Sequence, residues 1–215
     1  MTEWILSTRS RGKLAELVPI LAASGIVATS LDAAGFEASV DEEFIEVFDS
    51  FAENALAKAR YFATRTGRPC LAEDSGLCID ALVGQPGVRS RRFARDRGIA
   101  RDASIPEDVA NNEAMLAACW DSGRAPPWHA HFACAAAFVH QSREAVAIGR
   151  CDGVIRVEPS GNSGFGYDPY FVSAELGVAF ADASREQKAV VSHRARAIRN
   201  LLDRLGVDLI DGSAR

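Results

Sequence analysis

Five segments of the 215-residue chain collect side chains that can do chemistry. In Ser7-Thr8-Arg9-Ser10-Arg11-Gly12-Lys13, hydroxyls, a glycine and cations stand between a short apolar run and a helical pattern. Such a turn suits a phosphate: exposed N–H groups and the helix dipole favour an anion there, and Lys13 adds a point charge. The G-x-x-x-x-G-K-[ST] spacing of a Walker A loop is absent, and a solvated basic turn capping a helix would have the same composition. Glu73-Asp74-Ser75-Gly76, with Asp80 close behind, ends a strand pattern. Strand ends of open α/β sheets are where ligands sit. Paired carboxylates suit Mg²⁺, one holding the ion while another orients a water, although Asp-Ser-Gly also makes ordinary turns.

Glu46, Glu53, Asn54 and Lys58 form a third, weaker group, in which Glu53 already has a role as the fourth residue of a capping box opened by Ser50. Gly161-Asn162-Ser163-Gly164-Phe165-Gly166-Tyr167-Asp168-Pro169 is a sharply bending loop whose rings can present flat faces to a planar ligand or plug the core. Lys188 with Ser192-His193-Arg194 supplies donors for a base edge or a phosphate, or decorates a helix surface. His129-x-His131 shares one strand face but has no third ligand, so no metal is expected there. The first, second, fourth and fifth segments together describe a Mg²⁺–nucleotide site.

Positioning these groups needs alternating strands and helices. Residues 4–7 read as a strand, followed by a helix with Leu14, Leu17, Val18 and Leu21 on one face, shortened or kinked at Pro19. A second helix opens at Ser50 and ends at Gly67; residues 69–72 and 77–82 read as two short strands. Ser104-Ile105-Pro106-Glu107 reads as a capping box leading a helix to Gly123. Residues 131–139 and 144–157 read as adjacent antiparallel strands, and a last helix buries Ala195, Ile198, Leu202 and Leu205. The pattern indicates an α/β or α+β fold on a mixed sheet.

Composition sets outer bounds. A net charge of −5, with 24 Lys and Arg against 29 Asp and Glu, argues against general binding of nucleic acid or anionic membranes while allowing one polyanion in a basic pocket. A chain of this mass can bury roughly 70% of its surface, enough for a core without staples. No apolar run approaches the roughly 20 residues of a membrane span, and the opening Met-Thr-Glu-Trp lacks the layout of a signal peptide. Five scattered cysteines without a C-x-x-C pair read as reduced thiols of a cytoplasmic protein.

The ordered set Thr8-x-Ser10-x-x-Lys13-x-x-Glu16, Ser50-Phe51-Ala52-Glu53-Asn54-Ala55-Leu56-x-Lys58-Ala59, Ala72-Glu73-Asp74-Ser75-Gly76-Leu77, Gly87-Val88-x-Ser90, Gly164-Phe165-Gly166-Tyr167-Asp168-Pro169 and Lys188-x-x-x-Ser192-His193-Arg194 resembles the inosine/xanthosine triphosphate pyrophosphatase family over nearly the whole chain. The resemblance implies an elongated two-lobed α/β fold with a long mixed sheet, helices on its faces and a cleft between lobes, residues 1–215 forming a single pyrophosphatase domain. It implies Mg²⁺-dependent hydrolysis of ITP, dITP and XTP to the monophosphate and pyrophosphate, by a homodimer. Carried over by position, Thr8, Arg9, Ser10, Arg11, Gly12 and Lys13 hold the triphosphate. Glu46 and Asp74 bind the metal, Asp74 also serving as base. Ser75, Phe165, Gly166, Tyr167, Asp168, Lys188, His193 and Arg194 hold the nucleotide, the last two near the purine O6. The chain departs from the family pattern at Ser10 (usually Asn), Glu73 (usually Asp) and Arg89 (often aromatic). A related pyrophosphatase of the septum-inhibitor type, acting on other modified nucleotides, and a weakly catalytic nucleotide sensor are the competing readings.

Overall fold

The computed structural model describes residues 3–99 and 104–207; the opening Met1-Thr2 lies outside them. Six strands form one mixed sheet in the order β2-β1-β3-β4-β5-β6. These are β1 (Glu3–Leu6), β2 (Val27–Ser30), β3 (Cys70–Ile79), β4 (Trp128–His140), β5 (Arg143–Ile155) and β6 (Phe171–Ser173). β1 runs parallel to both neighbours, Ile5 standing opposite Thr29 and Cys70. β5 and β6 are antiparallel, with Val154 opposite Val172. Only Gln141-Ser142 separates β4 from β5, a connection that only antiparallel strands allow. Among the described residues the α-helices are α1 (Arg11–Ala22), α2 (Phe51–Thr66), α3 (Phe93–Asp96), α4 (Glu107–Asp121), α5 (Arg185–Val191) and α6 (His193–Arg204). No helix among the described residues is long and apolar enough to cross a membrane.

The chain divides into two compact units. Unit 1 comprises Met1–Asp74, Cys134–Gly149 and His193–Arg215. On one face of its sheet, Trp4 and Leu6 of β1 and Phe138 of β4 pack with Leu17 and Leu21 of α1 and Ile198, Leu201 and Leu202 of α6. On the other, Ala55 and Ala59 of α2 meet Ala72, Ala135 and Ala137, small residues that bring helix and sheet close together. A Cβ at Gly149 of β5 would collide with the backbone of α6 at His193 and Ala197, so that helix rests directly on the strand. Unit 2 comprises Ser75–Ala133 and Arg150–Ser192. Its core sets Leu77, Ile79, Phe132 and Phe171 against Phe93, Met115, Tyr167 and Phe180. Phe132 and Phe171 meet edge to face at 4.7 Å between centroids. All five cysteines are free and buried, Cys70 and Cys134 in unit 1 and Cys78, Cys119 and Cys151 in unit 2.

Several sequence expectations change. The two strands expected over 69–72 and 77–82 are one continuous strand, β3, because Asp74-Ser75-Gly76 stays extended. α4 starts at Glu107 with Pro106, not Ser104, at its N-cap. α1 continues three residues beyond Pro19, and Val18 faces outward, leaving Leu17 and Leu21 as its buried pair. The last helical stretch is two helices, parted at Ser192, whose backbone is extended. β2 and a short 3-10 helix at Val40–Phe44 carry no pattern that foretold them.

Candidate active site

In unit 1 the basic turn leads from β1 into α1 through Ser10. Ser10 takes the N-cap, its Oγ accepting the Lys13 N–H at 3.4 Å while its own N–H donates to Thr8 Oγ1 at 3.2 Å. That cap fixes the first turn of α1, from which Lys13 Nζ reaches Glu73 Oε1 at 2.5 Å. Glu73 is fully buried at the end of the unit 1 part of β3. Arg194 Nε, from the start of α6, lies 3.4 Å from its other oxygen, to which the Cys134 thiol also donates. Burial alone pushes a carboxylate up, but the Lys13, Arg194 and Lys58 cations pull Glu73 well below the usual range. Arg194 is itself buried between Glu73 and Glu16, and the two carboxylates outweigh burial to hold its proton more tightly than usual. Glu73 is therefore a charge hub for Lys13 and Arg194.

Asp74, its neighbour, has the opposite character. Burial and then the negative charge of Glu46 raise it to about 6, against the pull of Lys58, Lys13 and a hydrogen bond from Asn54. That bond, Asn54 Nδ2 to Asp74 Oδ2 at 2.9 Å, comes from the first turn of α2. Asn54 also grips the backbone of Phe48, accepting its N–H at 2.9 Å and donating to its C=O at 3.1 Å. Ser50 caps α2 by accepting the Glu53 N–H at 3.2 Å. Two turns into the helix, Lys58 pairs with Glu46. Burial pushes Glu46 up, but Lys58, together with Lys13, more than reverses this and lowers it, favouring the ionised carboxylate.

Glu46 and Asp74 are thus two mutually repelling carboxylates beside two lysines. The donor set fits Mg²⁺, a hard cation that uses one or two carboxylates and fills its remaining positions with water or phosphate oxygens. Among the described residues, no cluster of three or more His, Cys, Asp or Glu side chains is arranged to hold a metal alone. Arg11 is exposed at the start of α1. Arg9 is turned away from the others, towards Asp32, Phe36 and Glu42.

Unit 2 holds the glycine-rich loop. Asp168 folds it on itself, its carboxylate accepting the Phe165 N–H at 2.9 Å and the Lys188 ammonium at 2.6 Å. Lys188 lies 5.3 Å from the Phe165 ring centroid and 5.2 Å from that of Phe180, a cation held between two rings. Gly164 has φ +81°, and a Cβ there would strike the Asp168 carboxylate. Tyr167 is core: it is 5% exposed, and its hydroxyl donates to Ser90 O at 2.7 Å. Phe165 is the half-buried ring. Gly76 admits the turn at Gly87, whose carbonyl a side chain at 76 would hit. Ser90 locks that turn, accepting the Leu77 N–H at 2.9 Å and donating to Gly87 O at 2.6 Å.

Sequence reasoning missed the residues of α4 that hold this loop. Asp108 accepts the Gly166 N–H at 2.8 Å, and Asn112 donates to Gly166 O at 3.0 Å. Both belong to a polar, acidic helix start that carries no motif of its own. The structure gathers Lys13, Glu46, Asn54, Lys58, Glu73, Asp74 and Arg194 in unit 1, and Phe165, Asp168 and Lys188 in unit 2. Ser75 is half-buried on β3 in unit 2, and His193 is buried at the head of α6 in unit 1.

A sequence model of the Ham1 family matches residues 4–204. A dITP/XTP pyrophosphatase of Streptomyces avermitilis is 41% identical over 204 residues, spanning 94% of this chain and 96% of its own. One of Frankia alni is 42% identical over 200 residues, spanning 92% and 94%. Among solved structures, a HAM1 protein of Coxiella burnetii superposes with a TM-score of 0.79 at 31% identity, covering 96% of this chain and 99% of its own. A dITP/XTP pyrophosphatase of Mycobacterium abscessus does so with a TM-score of 0.67 at 37% identity, covering 94% and 99%. With sequence and fold matched from β1 to the end of α6, the chain belongs to the Ham1 family.

Proposed function

We propose that the chain hydrolyses deaminated purine nucleoside triphosphates (dITP, ITP and XTP) to the monophosphate and pyrophosphate with Mg²⁺, keeping these nucleotides out of DNA and RNA. Nucleotide pyrophosphatase activity is in keeping with its relatives of 36–42% identity, which carry the name dITP/XTP pyrophosphatase. The observation that carries the mechanism is the pair formed by half-buried Glu46 and buried Asp74 beside Lys13 and Lys58. Glu46 and Asp74 would hold Mg²⁺, which when bound neutralises the triphosphate and lowers the pKa of water. Lys13 and the N–H groups of the Thr8–Lys13 turn carry the phosphates. Asp74 accepts a proton from the attacking water, whose acidity the bound metal would raise. The water oxygen bonds to the α-phosphorus as the bond to the bridging oxygen breaks and pyrophosphate leaves.

Phe165 offers its face to the base, and Lys188 and Asp168 fix that ring's loop. Ser75 completes the nucleotide contacts. His193 and Arg194 donate to O6, with Glu16 and Glu73 orienting the guanidinium. Adenine, with an amine at that position, would leave such donors unpaired, at about 1–3 kcal/mol per buried group. The whole chain works as one enzyme domain and forms a homodimer in the cytoplasm, where buried thiols stay reduced.

Pyrophosphate release from ITP, dITP, XTP, ATP and GTP, with Mg²⁺ and with EDTA, tests the reading. Release confined to the deaminated purines and abolished by EDTA is expected. Release from another nucleotide set would point to the septum-inhibitor type of activity. Binding of ITP without release would make the chain a nucleotide sensor.

A further inference from the structure

Arg9 lies in the middle of the basic turn, yet its guanidinium is engaged by a different part of unit 1. Nε donates to Glu42 Oε2 at 2.8 Å and Nη2 to Glu42 Oε1 at 2.7 Å, the two-pronged geometry that only arginine provides. Nη1 donates to Asp32 Oδ1 at 2.5 Å, and Nη2 also reaches Phe36 O at 3.1 Å. Its hydrogen bond to Arg9, with the attraction of that cation, holds Glu42 below the usual carboxylate range against a smaller upward push from burial. One side chain thereby ties the β1–α1 turn to three points on the segment that follows β2.

That segment leads to Glu46. Glu42 occupies the third position of the 3-10 helix at Val40–Phe44, where its carboxylate also accepts the Ser39 N–H at 3.3 Å. Its carbonyl accepts the Ile45 N–H, and Glu46 is the next residue. Apolar burial holds the segment poorly. Val40, Phe44, Val47 and Phe48 are 79%, 73%, 63% and 41% exposed; Ile45 enters the core beside Leu31 and Phe62, and Ala34 and Phe36 pack partly against it. Between these apolar contacts, the polar clamp sets where the segment lies.

We propose that Arg9 is a positioning residue for the metal carboxylates rather than a phosphate ligand: through Glu42 and Asp32 it fixes the 32–46 segment so that Glu46 meets Asp74. The proposal rests on the reading of Glu46 and Asp74 as the Mg²⁺ site. Two variants, Arg9→Lys and Arg9→Ala, are compared with wild type by three measurements. These are titration of Mn²⁺ into nucleotide-free protein by calorimetry, hydrogen exchange of residues 37–48 without metal, and steady-state pyrophosphate release over a range of Mg²⁺.

Both variants should weaken Mn²⁺ binding about tenfold and speed exchange in 37–48, while KM for nucleotide at saturating Mg²⁺ changes less than twofold. Arg9→Lys should not rescue, because an ammonium cannot span both Glu42 oxygens. The double variant Arg9→Glu/Glu42→Arg should recover part of the Mn²⁺ affinity. Unchanged metal affinity and exchange, or a raised KM at saturating Mg²⁺ that Arg9→Lys largely restores, would overturn the proposal in favour of direct phosphate contact. Wild-type protein that binds no Mn²⁺ would overturn the metal reading itself, which the calorimetry reports apart from the exchange.

Discussion

Asp74→Asn should give a protein that is more stable and almost inactive. In the folded chain the Asp74 carboxyl is raised from 3.8 to about 6 by burial and by Glu46. The fold thus holds this proton more tightly than the unfolded chain does. Below about pH 4 both states are protonated and Asp74 costs nothing. As pH rises from there to about 6 the unfolded chain ionises first, and the cost grows to a plateau. A difference of about two pH units, at about 1.4 kcal/mol each, amounts to about 3 kcal/mol at neutral pH. An asparagine removes that cost while its amide oxygen still accepts from Asn54 Nδ2. Urea unfolding in EDTA should show the variant gaining up to about 3 kcal/mol at pH 7.5 and little at pH 4. The corresponding rise in Tm is roughly 6–12 °C for a chain of this size. Pyrophosphate release should fall by about 100-fold or more. A variant no more stable than wild type at pH 7.5, or equally stabilised at both pH values, would refute the electrostatic account of this carboxyl.

Three further substitutions probe the supports of the site. Asn54→Ala strands both backbone groups of Phe48 and should cost about 1–3 kcal/mol in urea unfolding. Lys188→Met leaves the Asp168 carboxylate buried and unpaired by its main cation, a loss of about 3–5 kcal/mol. Lys188→Met/Asp168→Asn should regain stability while KM for ITP stays high. Gly149→Ala drives a methyl into the backbone of α6 and should cost about 1–3 kcal/mol, read as a lower Tm.

Much of the site was legible because its chemistry sits in short contiguous blocks. Ser10 before Lys13, Ser50 before Glu53, and the bending glycines around Phe165 each announce a cap or a turn from neighbouring residues alone. The roles that escaped were long-range. Nothing local distinguishes Glu73 from Asp74, yet three cations make one a hub while Glu46 pushes the other towards neutrality. Arg9 looked like its basic neighbours until the chain brought Asp32 and Glu42 to it. Asp108 and Asn112 read as ordinary helix polar residues, since their partner, Gly166, lies more than fifty positions away. Ser104-x-x-Glu107 had the letters of a capping box, but α4 begins at Glu107 itself, with Pro106 rather than Ser104 at the N-cap, where its ring presets the backbone and offers no side-chain acceptor.

The five buried thiols give the protein a built-in clock of local opening. Burial pushes Cys78 and Cys119 up to about 11, so at pH 8 about one in a thousand of these two is thiolate even before access is considered, and it raises Cys70 and Cys134 as well. Alkylation must therefore wait for the chain to open. Cys70 and Cys134 report on unit 1, and Cys78, Cys119 and Cys151 on unit 2. Peptide-resolved labelling rates then yield two separate opening free energies from one unmodified sample. A metal that binds unit 1 carboxylates would slow the first pair by the factor set by its concentration over its dissociation constant, so the wild-type cysteines serve as an internal gauge of ligand binding.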